Sequence, residues 1–346
     1  MNTPSIEGLV RPDEATFAPA DRDVLAGYWH PVAFASEVAD TPLSRRLLDV
    51  RLVVFRGAEG ICVARDLCAH RGASLSRGRM DAGALVCAYH GFRYSGTGAC
   101  TAIPSQDPSV PISSRLRLQV FPSVVAQGMV WTCLRPPAAA PVPAWPEMPQ
   151  PGWKTMEMAA SVWRASAARQ VENFNDVAHL SFVHGATFGN PAEPRIGDYT
   201  VTEHASGLEF TLRYPQVDRD TLAQSSEVIS DMTYVYRLTL PFATVLQIAA
   251  PDGRILNVYD VATPETARQS RIHMLLSRNY ATDDPAAPAI EFQAYVNNED
   301  RPVVEDQYPE DLPLDLRDEV HTSADRMSIA YRKRLTSLGL TGAWVA

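Results

Sequence analysis

Two short stretches constrain this chain more than anything else in it. Residues 68–72 read CAHRG and residues 87–92 read CAYHGF. The full pattern is Cys68-x-His70, sixteen residues, then Cys87-x2-His90, with a glycine following in each half. One cysteine and one histidine cannot close a metal site, so the fold must bring two loops onto one centre. A structural zinc site more often presents a Cys-Cys pair with a His-His pair, or four cysteines. One Cys and one His per loop instead suit a two-iron, two-sulfide cluster clasped from opposite sides. Both cysteines then hold one iron and both histidines the other.

The remaining composition sets the class. The chain has 346 residues, long for one domain and comfortable for two, and 46% of them are hydrophobic. No run of eighteen apolar residues exists, so no membrane span is expected. The first residues, MNTPSIEGLVRPDEATFAPADRD, are acidic and broken by prolines, without the basic start and apolar stretch of a secretory signal. A net charge of −9 argues against nucleic acid as a partner. Only two of the 31 basic residues are lysines, Lys154 and Lys333, which reads as coding bias. The five cysteines are too sparse for a disulfide framework and suit a reducing cytoplasm, where cysteines serve metals. Beyond Cys68 and Cys87, the thiols of Cys62, Cys100 and Cys133 are expected to be small buried hydrophobes.

Along the chain, residues 24–136 are predicted to form an all-β domain. RLLDVRLVVFRG alternates, GICVARDLC follows a glycine turn, and QVFPSVVAQGMVWTCL reads as a closing hairpin turning near Gly128. Seven prolines in residues 135–152 mark a boundary, and residues 137–152 are assigned as a linker. Residues 153–346 read as a larger α+β domain. Strand-like WKTMEMAASVWRAS leads into a helical stretch at 168–183. Long strands follow between 198 and 280, one pair around an Asp-Gly turn, and two helices near 287–307 and 322–338 close the chain.

The helical stretch carries a second constellation, ENFNDVAHLSFVH at 172–184. Glu172, Asp176 and His179 fall at i, i+4 and i+7, on one face of a continuous helix. His184 comes five residues after His179, about 140° out of line, so one metal can be shared only if the helix bends, bulges or stops between them; Gly185 suits a helix end. Two neutral imidazoles and one carboxylate on one face of a metal make the facial triad of non-heme iron(II), with open positions for dioxygen.

The first pattern resembles the Rieske [2Fe–2S] motif. With Asp176-x2-His179-x4-His184 about ninety residues beyond it, the chain resembles the oxygenase α subunit of Rieske non-heme iron oxygenases from YWHPVAF to SADRMSIAYRKRL. The resemblance implies a catalytic domain of helix-grip fold, an antiparallel sheet around a helix. It implies that His179 and His184 hold a mononuclear iron. It further implies that Asp176 joins the two metal sites by hydrogen bonds to an iron histidine and to a Rieske histidine of the neighbouring subunit. For the third ligand, Glu299, Asp300, Glu305 and Asp306 are available. Phe292, Val296, Asp300, Val303 and Gln307 follow helical spacing, which lets Asp300 point inward without excluding Glu299 or Asp306. The resemblance favours Asp300, because the family places its ligand before a run like DRPVVE.

Dioxygen activation needs two electrons and two protons. No strand-linked GxGxxG or four-cysteine ferredoxin set is present, so electrons are expected from a separate flavin- or ferredoxin-type reductase drawing on NAD(P)H. The C-terminal half is most similar to single-subunit oxygenases such as methylxanthine N-demethylases and saxitoxin-pathway hydroxylases. That implies insertion of one oxygen atom into a C–H bond of a small ring-bearing substrate, by hydroxylation or N- or O-demethylation. Arene cis-dihydroxylation is the alternative, and a Rieske electron carrier without catalysis a second. A mostly apolar pocket is expected between the 200–296 strands and the 174–184 helix. An inter-subunit bridge through Asp176 implies a head-to-tail homotrimer.

Overall fold

The structure is a computed structural model, and it describes residues 7–145, 150–226 and 228–342. The chain divides into two compact units, one ending at Val142 and the other running from Pro143 to Gly342. The proline-rich stretch assigned as linker spans this division; its residues 146–149 lie outside the described residues, and its described part contains neither helix nor strand. Trp145 is buried, its ring 4.7 Å from that of Tyr259 in the second unit. Among the described residues, no helix is long and apolar enough to cross a membrane.

The first unit contains helix α1 (Pro19–Ala26) and eleven strands: β1 (His30–Phe34), β2 (Leu43–Leu47), β3 (Val50–Gly57), β4 (Gly60–Arg65), β5 (Arg79–Asp81), β6 (Ala84–Val86), β7 (Arg93–Tyr94), β8 (Cys100–Ala102), β9 (Val120–Phe121), β10 (Ser123–Ala126) and β11 (Met129–Thr132). They form three antiparallel sheets, ordered β1-β11-β10, β2-β3-β4-β9 and β5-β6-β7-β8. The stretch RLLDVRLVVFRG is two strands rather than one. Leu48 and Asp49 both adopt positive φ, 50° and 68°, the geometry of a two-residue hairpin turn whose twist matches its strands. The buried Asp49 carboxylate accepts from Thr16 N at 2.9 Å and from Thr16 Oγ1 at 2.7 Å. Leu52 to Phe55 are all buried, so β3 is covered on both faces and reads as a continuous apolar run, not an alternating one. Gln127 and Gly128, at φ 49° and 72°, make the expected turn of the closing β10–β11 hairpin.

The second unit is built on one large antiparallel sheet. Its strands are β12 (Lys154–Glu157), β13 (Ser161–Trp163), β14 (Thr202–Glu203), β15 (Gly207–Val217), β16 (Ile229–Thr239), β17 (Ala243–Ala249), β18 (Ile255–Thr266) and β19 (Gln269–Arg278). They run in the order β12-β19-β18-β17-β16-β15-β14, with β13 also paired to β19. Helices α2 (Ala167–Asn175), α3 (Leu180–Val183), α4 (Ala287–Glu305) and α5 (Arg326–Ser337) complete the unit. Helix α2 packs against β17, β18 and β19 and touches α4 and α5, so the sheet grips a helix as expected. A buried ionic network fastens the helices: Arg332 Nε lies 2.7 Å from Glu172 Oε1, and Arg169 Nη2 lies 2.8 Å from Glu319 Oε1. Glu172 is thus committed to Arg332 and takes no part in the site that its spacing suggested.

Candidate metal centres and substrate pocket

The two cysteine–histidine loops are built alike. In the first, Cys68 N donates to Ala73 O (2.8 Å) and Gly72 N to Cys68 O (2.9 Å); in the second, Cys87 N donates to Phe92 O (2.9 Å) and Gly91 N to Cys87 O (3.0 Å). Each loop closes on its own cysteine through a glycine in the left-handed region, Gly72 at φ 72° and Gly91 at φ 71°, which other residues adopt only with strain. Cys68 and Cys87 are buried in a core with Val53, Phe55, Leu75 and Tyr94, whereas His90 is exposed and His70 partly so. The imidazole centroids are 4.7 Å apart, and His70 stacks on Phe92 at 4.4 Å. A buried cysteine pair under an outer histidine pair is the asymmetric donor set of a cluster with one sulfur-held and one nitrogen-held iron. His70 Nδ1 is buried with no hydrogen-bond partner, as a nitrogen reserved for a metal would be. Tyr94 OH lies 3.1 Å from Cys68 Sγ.

In the second unit the helical stretch breaks earlier than its spacing implied. Asn175 turns its side chain back to Val171 O (2.8 Å) and across to Thr244 Oγ1 (3.0 Å), ending α2. Asp176 is extended (φ −77°, ψ 141°), so it does not share a helix face with Glu172 and His179. Its carboxylate accepts from Ala178 N at 3.0 Å and His179 N at 3.1 Å, the bonds of an Asx-type turn that leads into α3. The four residues of α3 then separate His179 from His184, and the helix stops at His184 as the out-of-line spacing required.

This break aims both imidazoles at one point. His179 Nε2 is 3.2 Å from His184 Nε2 and 3.3 Å from Asp300 Oδ1, and His184 Nε2 is 3.2 Å from the same oxygen. Three donors about 2.1 Å from an octahedral ion and at right angles to one another are about 3 Å apart, so the triangle suits one face of such an ion. The other ring nitrogens are tied down: His179 Nδ1 to Asp176 Oδ2 at 3.0 Å, and His184 Nδ1 to Glu299 Oε2 at 2.9 Å. With a metal bound, each carboxylate would accept from Nδ1–H, leaving the Nε2 lone pairs to face inward. Burial alone would raise the Asp300 carboxyl, but the two histidines bring it down to about 2. Burial likewise works against a charged His179, and Asp176 and Asp300 outweigh it, raising this imidazole to about 9 in the metal-free site.

The alternative third ligands are placed elsewhere. Glu299 supports His184 and also accepts from Thr187 Oγ1 at 2.9 Å. Glu305 pairs with Arg301 and Arg164, and Asp306 is exposed at the end of α4. The inward face of α4 departs from the expected spacing at one position: Val303 is exposed and Val304, four residues after Asp300, is buried. Sequence reasoning missed Asn173, whose Nδ2 is 3.5 Å from Asp300 Oδ1, and the supporting role of Thr187. Neither residue type signals a metal site by itself.

Next to the triad opens a cavity of roughly 1100 Å³, counting open solvent at its mouth. Phe174, Leu180, Phe188, Tyr236, Val258 and Phe292 make its wall apolar and aromatic near the histidines. Gln216, Gln293 and Asn297 add amide groups, and arginines and aspartates stand in the lining as well. A mostly apolar cleft with a few placed polar groups beside open metal positions suits a small organic ring.

Fold and sites together define an oxygenase component with an iron–sulfur domain and a separate catalytic domain. Residues 28–122 match the Rieske [2Fe–2S] domain, and residues 163–341 match the vanillate O-demethylase oxygenase C-terminal domain. Methylxanthine N1-demethylase NdmA of Pseudomonas putida is 30% identical over 328 residues, covering 92% of this chain and 90% of the relative. The solved structure of NdmA with caffeine superposes with a TM-score of 0.81 at 28% identity, covering 92% of each chain. The oxygenase component of dicamba O-demethylase from Stenotrophomonas maltophilia is 28% identical, over 80% of this chain and 86% of the relative. The chain belongs to the Rieske non-heme iron oxygenases, in the branch that carries the vanillate O-demethylase type of catalytic domain. As such it is an enzyme that uses a Rieske cluster, a mononuclear iron and dioxygen, with a separate reductase as electron source.

Proposed function

We propose that Cys68 and Cys87 hold one iron of the cluster and His70 and His90 the other, and that His179, His184 and Asp300 hold the mononuclear iron. The observation that carries this reading is the triangle of donor atoms 3.2–3.3 Å apart, with both Nδ1 positions taken by carboxylates. When bound, the iron supplies dioxygen activation, with electrons delivered through the cluster.

The chain's own residues do the rest. Asp176 and Glu299 hold the imidazoles in the tautomer that presents Nε2, and the apolar wall keeps bulk water from the open coordination face. Asp176 also serves as the electron link, reaching a Rieske histidine of a neighbouring subunit in a homotrimer. A carboxylate that already accepts from His179 Nδ1 retains acceptor capacity for a second imidazole.

The reaction is insertion of one oxygen atom into a C–H bond of a small ring-bearing substrate. For an N-methyl group, dioxygen, two electrons and two protons convert N–CH3 to N–CH2OH with release of water. The N–CH2OH carbon–nitrogen bond then breaks to give N–H and formaldehyde. Similarity to N- and O-demethylases supports this outcome over cis-dihydroxylation of an arene. The enzyme works in the cytoplasm with an NAD(P)H-dependent reductase. Turnover with a compatible reductase and labelled dioxygen tests it: the product should carry one labelled atom, or formaldehyde should appear in step with NADH loss. A cis-diol carrying two labelled atoms as main product contradicts it.

A further inference from the structure

A buried polar layer borders the pocket and the triad in the catalytic unit. Tyr236, Leu246, Val258 and Leu276 are register partners across β16, β17, β18 and β19, and all four line the cavity. Two residues further along each strand, and so about 7 Å away, the next row on the same face is Leu238, Thr244, Asp260 and Met274. Helix α2 covers this row: Gln170 Nε2 donates to Asp260 Oδ2 at 3.2 Å, and Asn175 Nδ2 to Thr244 Oγ1 at 3.0 Å. Gln170 stands three residues before Asn173 on one helix face, and the Asn173 amide is 3.5 Å from Asp300 Oδ1. From α4, the cavity-lining Asn297 reaches Met274 Sδ at 3.6 Å.

Asp260 is the unusual member. It is fully buried, and among the described residues no cation pairs with it. The charged groups of α2, Arg169 and Glu172, are engaged with each other and with Glu319 and Arg332. Its neighbours on β17 and β19 are the uncharged Thr244 and Met274. On α4, Glu299 is bonded to His184 and Thr187, and the charge of Asp300 acts on Asp260 repulsively. A carboxyl sealed from water, beside a like charge and without a cation, is held as the neutral acid. Burial, with Asp300 adding, raises it to about 7. Packing alone would be served by an aliphatic side chain, such as Val258 supplies one row away. The layer is also short of donors: Asp260 Oδ1, Gln170 Oε1 and Asn175 Oδ1 are buried acceptors with no partner. Buried water meets such a need, because it accepts a carboxyl proton and donates to amide oxygens.

The geometry points to Asp260 as the proton store of the catalytic site, handing a proton through buried water beside Gln170 to the pocket where dioxygen reacts. This rests on the oxygenase reading and adds the source of its protons. Each turnover takes dioxygen, two electrons and two protons, and one oxygen atom leaves as water. Without an organic substrate, the same electrons and protons give hydrogen peroxide. Asp260 supplies one of the two protons: its O–H bond breaks, and the proton ends in that water or peroxide. The carboxylate then takes a new proton from solvent through the cavity, and the second proton enters from solvent directly. Asp260 acts through water and does not touch the reacting oxygen.

The test uses the holoenzyme in two measurements that need no organic substrate. Infrared spectra at pH 6 should show a neutral-carboxyl C=O band that is missing in Asp260→Asn. That band should shift soon after transfer to D2O, because a water path joins the group to solvent. Absence of the band, or exchange only on unfolding, overturns the inference. In the second measurement, holoenzyme reduced at both iron centres is mixed with oxygenated buffer, and cluster reoxidation and peroxide are followed. The wild-type rate should fall as pH rises through 7. Asp260→Asn should be slower at pH 6 by about tenfold or more, less than the roughly 100-fold of a direct acid because solvent still supplies protons. Its rate should not vary with pH and should meet that of wild type well above pH 7, and Asp260→Glu should restore part of the loss. A merely structural role would slow the Asn variant equally at every pH, and that result overturns the inference. If Asp260→Asn does not fold, the wild-type infrared exchange and the wild-type and Asp260→Glu pH profiles decide. Dioxygen reduction by Asp260→Asn at the wild-type rate sinks the proton store and leaves the oxygenase reading standing. A wild-type holoenzyme that reduces no dioxygen sinks both.

Discussion

Glu299 Oε2 lies 2.9 Å from His184 Nδ1 and 2.9 Å from Thr187 Oγ1, one residue along α4 from Asp300, whose Oδ1 faces the Nε2 of the same histidine. Neighbouring carboxylates of one helix thus meet opposite edges of one imidazole: Asp300 meets the edge proposed to face the metal, and Glu299 the Nδ1 edge. Glu299→Ala should therefore lower iron occupancy of the catalytic site, with a loss of affinity on the order of 10–100-fold. The Rieske absorption should be unchanged. Iron analysis after dialysis against a weak chelator measures this, and full retention of iron would remove Glu299 from the supporting role.

Asp176 does two jobs that substitution can separate. As a turn former it bonds Ala178 N and His179 N; as a charged group it bonds His179 Nδ1. Asp176→Asn keeps an oxygen that accepts the two turn bonds, so both metals and the melting temperature should be nearly preserved while electron transfer to the catalytic iron slows strongly. Asp176→Ala should in addition cost about 1 kcal/mol of stability from the two lost turn bonds. Single-turnover oxidation of the reduced cluster reads the first effect and thermal unfolding the second. An Asn variant that turns over at the wild-type rate contradicts the link.

Tyr94 OH stands 3.1 Å from Cys68 Sγ and both residues are buried. A hydroxyl donating to a ligand sulfur stabilises the more negative, reduced cluster. Tyr94→Phe should thus lower the reduction potential, read by spectroelectrochemistry, without loss of cluster. An unchanged or raised potential contradicts the assignment of the hydroxyl as donor.

Asp260 gives the second unit a pH signature. It is fully buried on β18, its Oδ2 accepts from Gln170 Nε2 at 3.2 Å, and its Oδ1 has no partner. Burial, with the charge of Asp300 adding, raises its carboxyl to about 7. The unfolded chain ionises this group near pH 4, so the folded state holds the extra proton between about pH 4 and 7. Its contribution to stability is therefore lost as pH rises through that window, on the order of a few kcal/mol in full. Asp260→Asn should flatten the slope, matching wild type near pH 4 and exceeding it above pH 7. Denaturant titrations at three pH values check this, and a variant less stable at pH 8 than wild type would contradict it.

The two cysteine–histidine loops were legible as a matched pair because each repeats the same residue types and needs a left-handed glycine that appears in the sequence as Gly72 and Gly91. Long strands and the closing helices were legible from period and turn residues, as at Asp252-Gly253 between β17 and β18. The break before His179 was not, since it depends on the Asn175 amide and the Asp176 carboxylate choosing local backbone partners over helix continuation. The choice among Glu299, Asp300 and Asp306 depended on where α4 meets α2, a tertiary contact that periodicity does not encode. Arg219, Arg254 and Arg278 carried no sequence signal, because only the folded sheet and its loops bring them into one cavity lining.

The central claim is that this chain holds two separate iron centres on the residues named. Iron analysis and the visible spectrum of wild type and His184→Ala, purified in parallel, test it most directly. Wild type should contain about three irons per chain with a Rieske spectrum, and the variant about two with the spectrum intact and turnover abolished. Loss of the Rieske spectrum in His184→Ala, or retention of all the iron and turnover, would contradict the division into two sites.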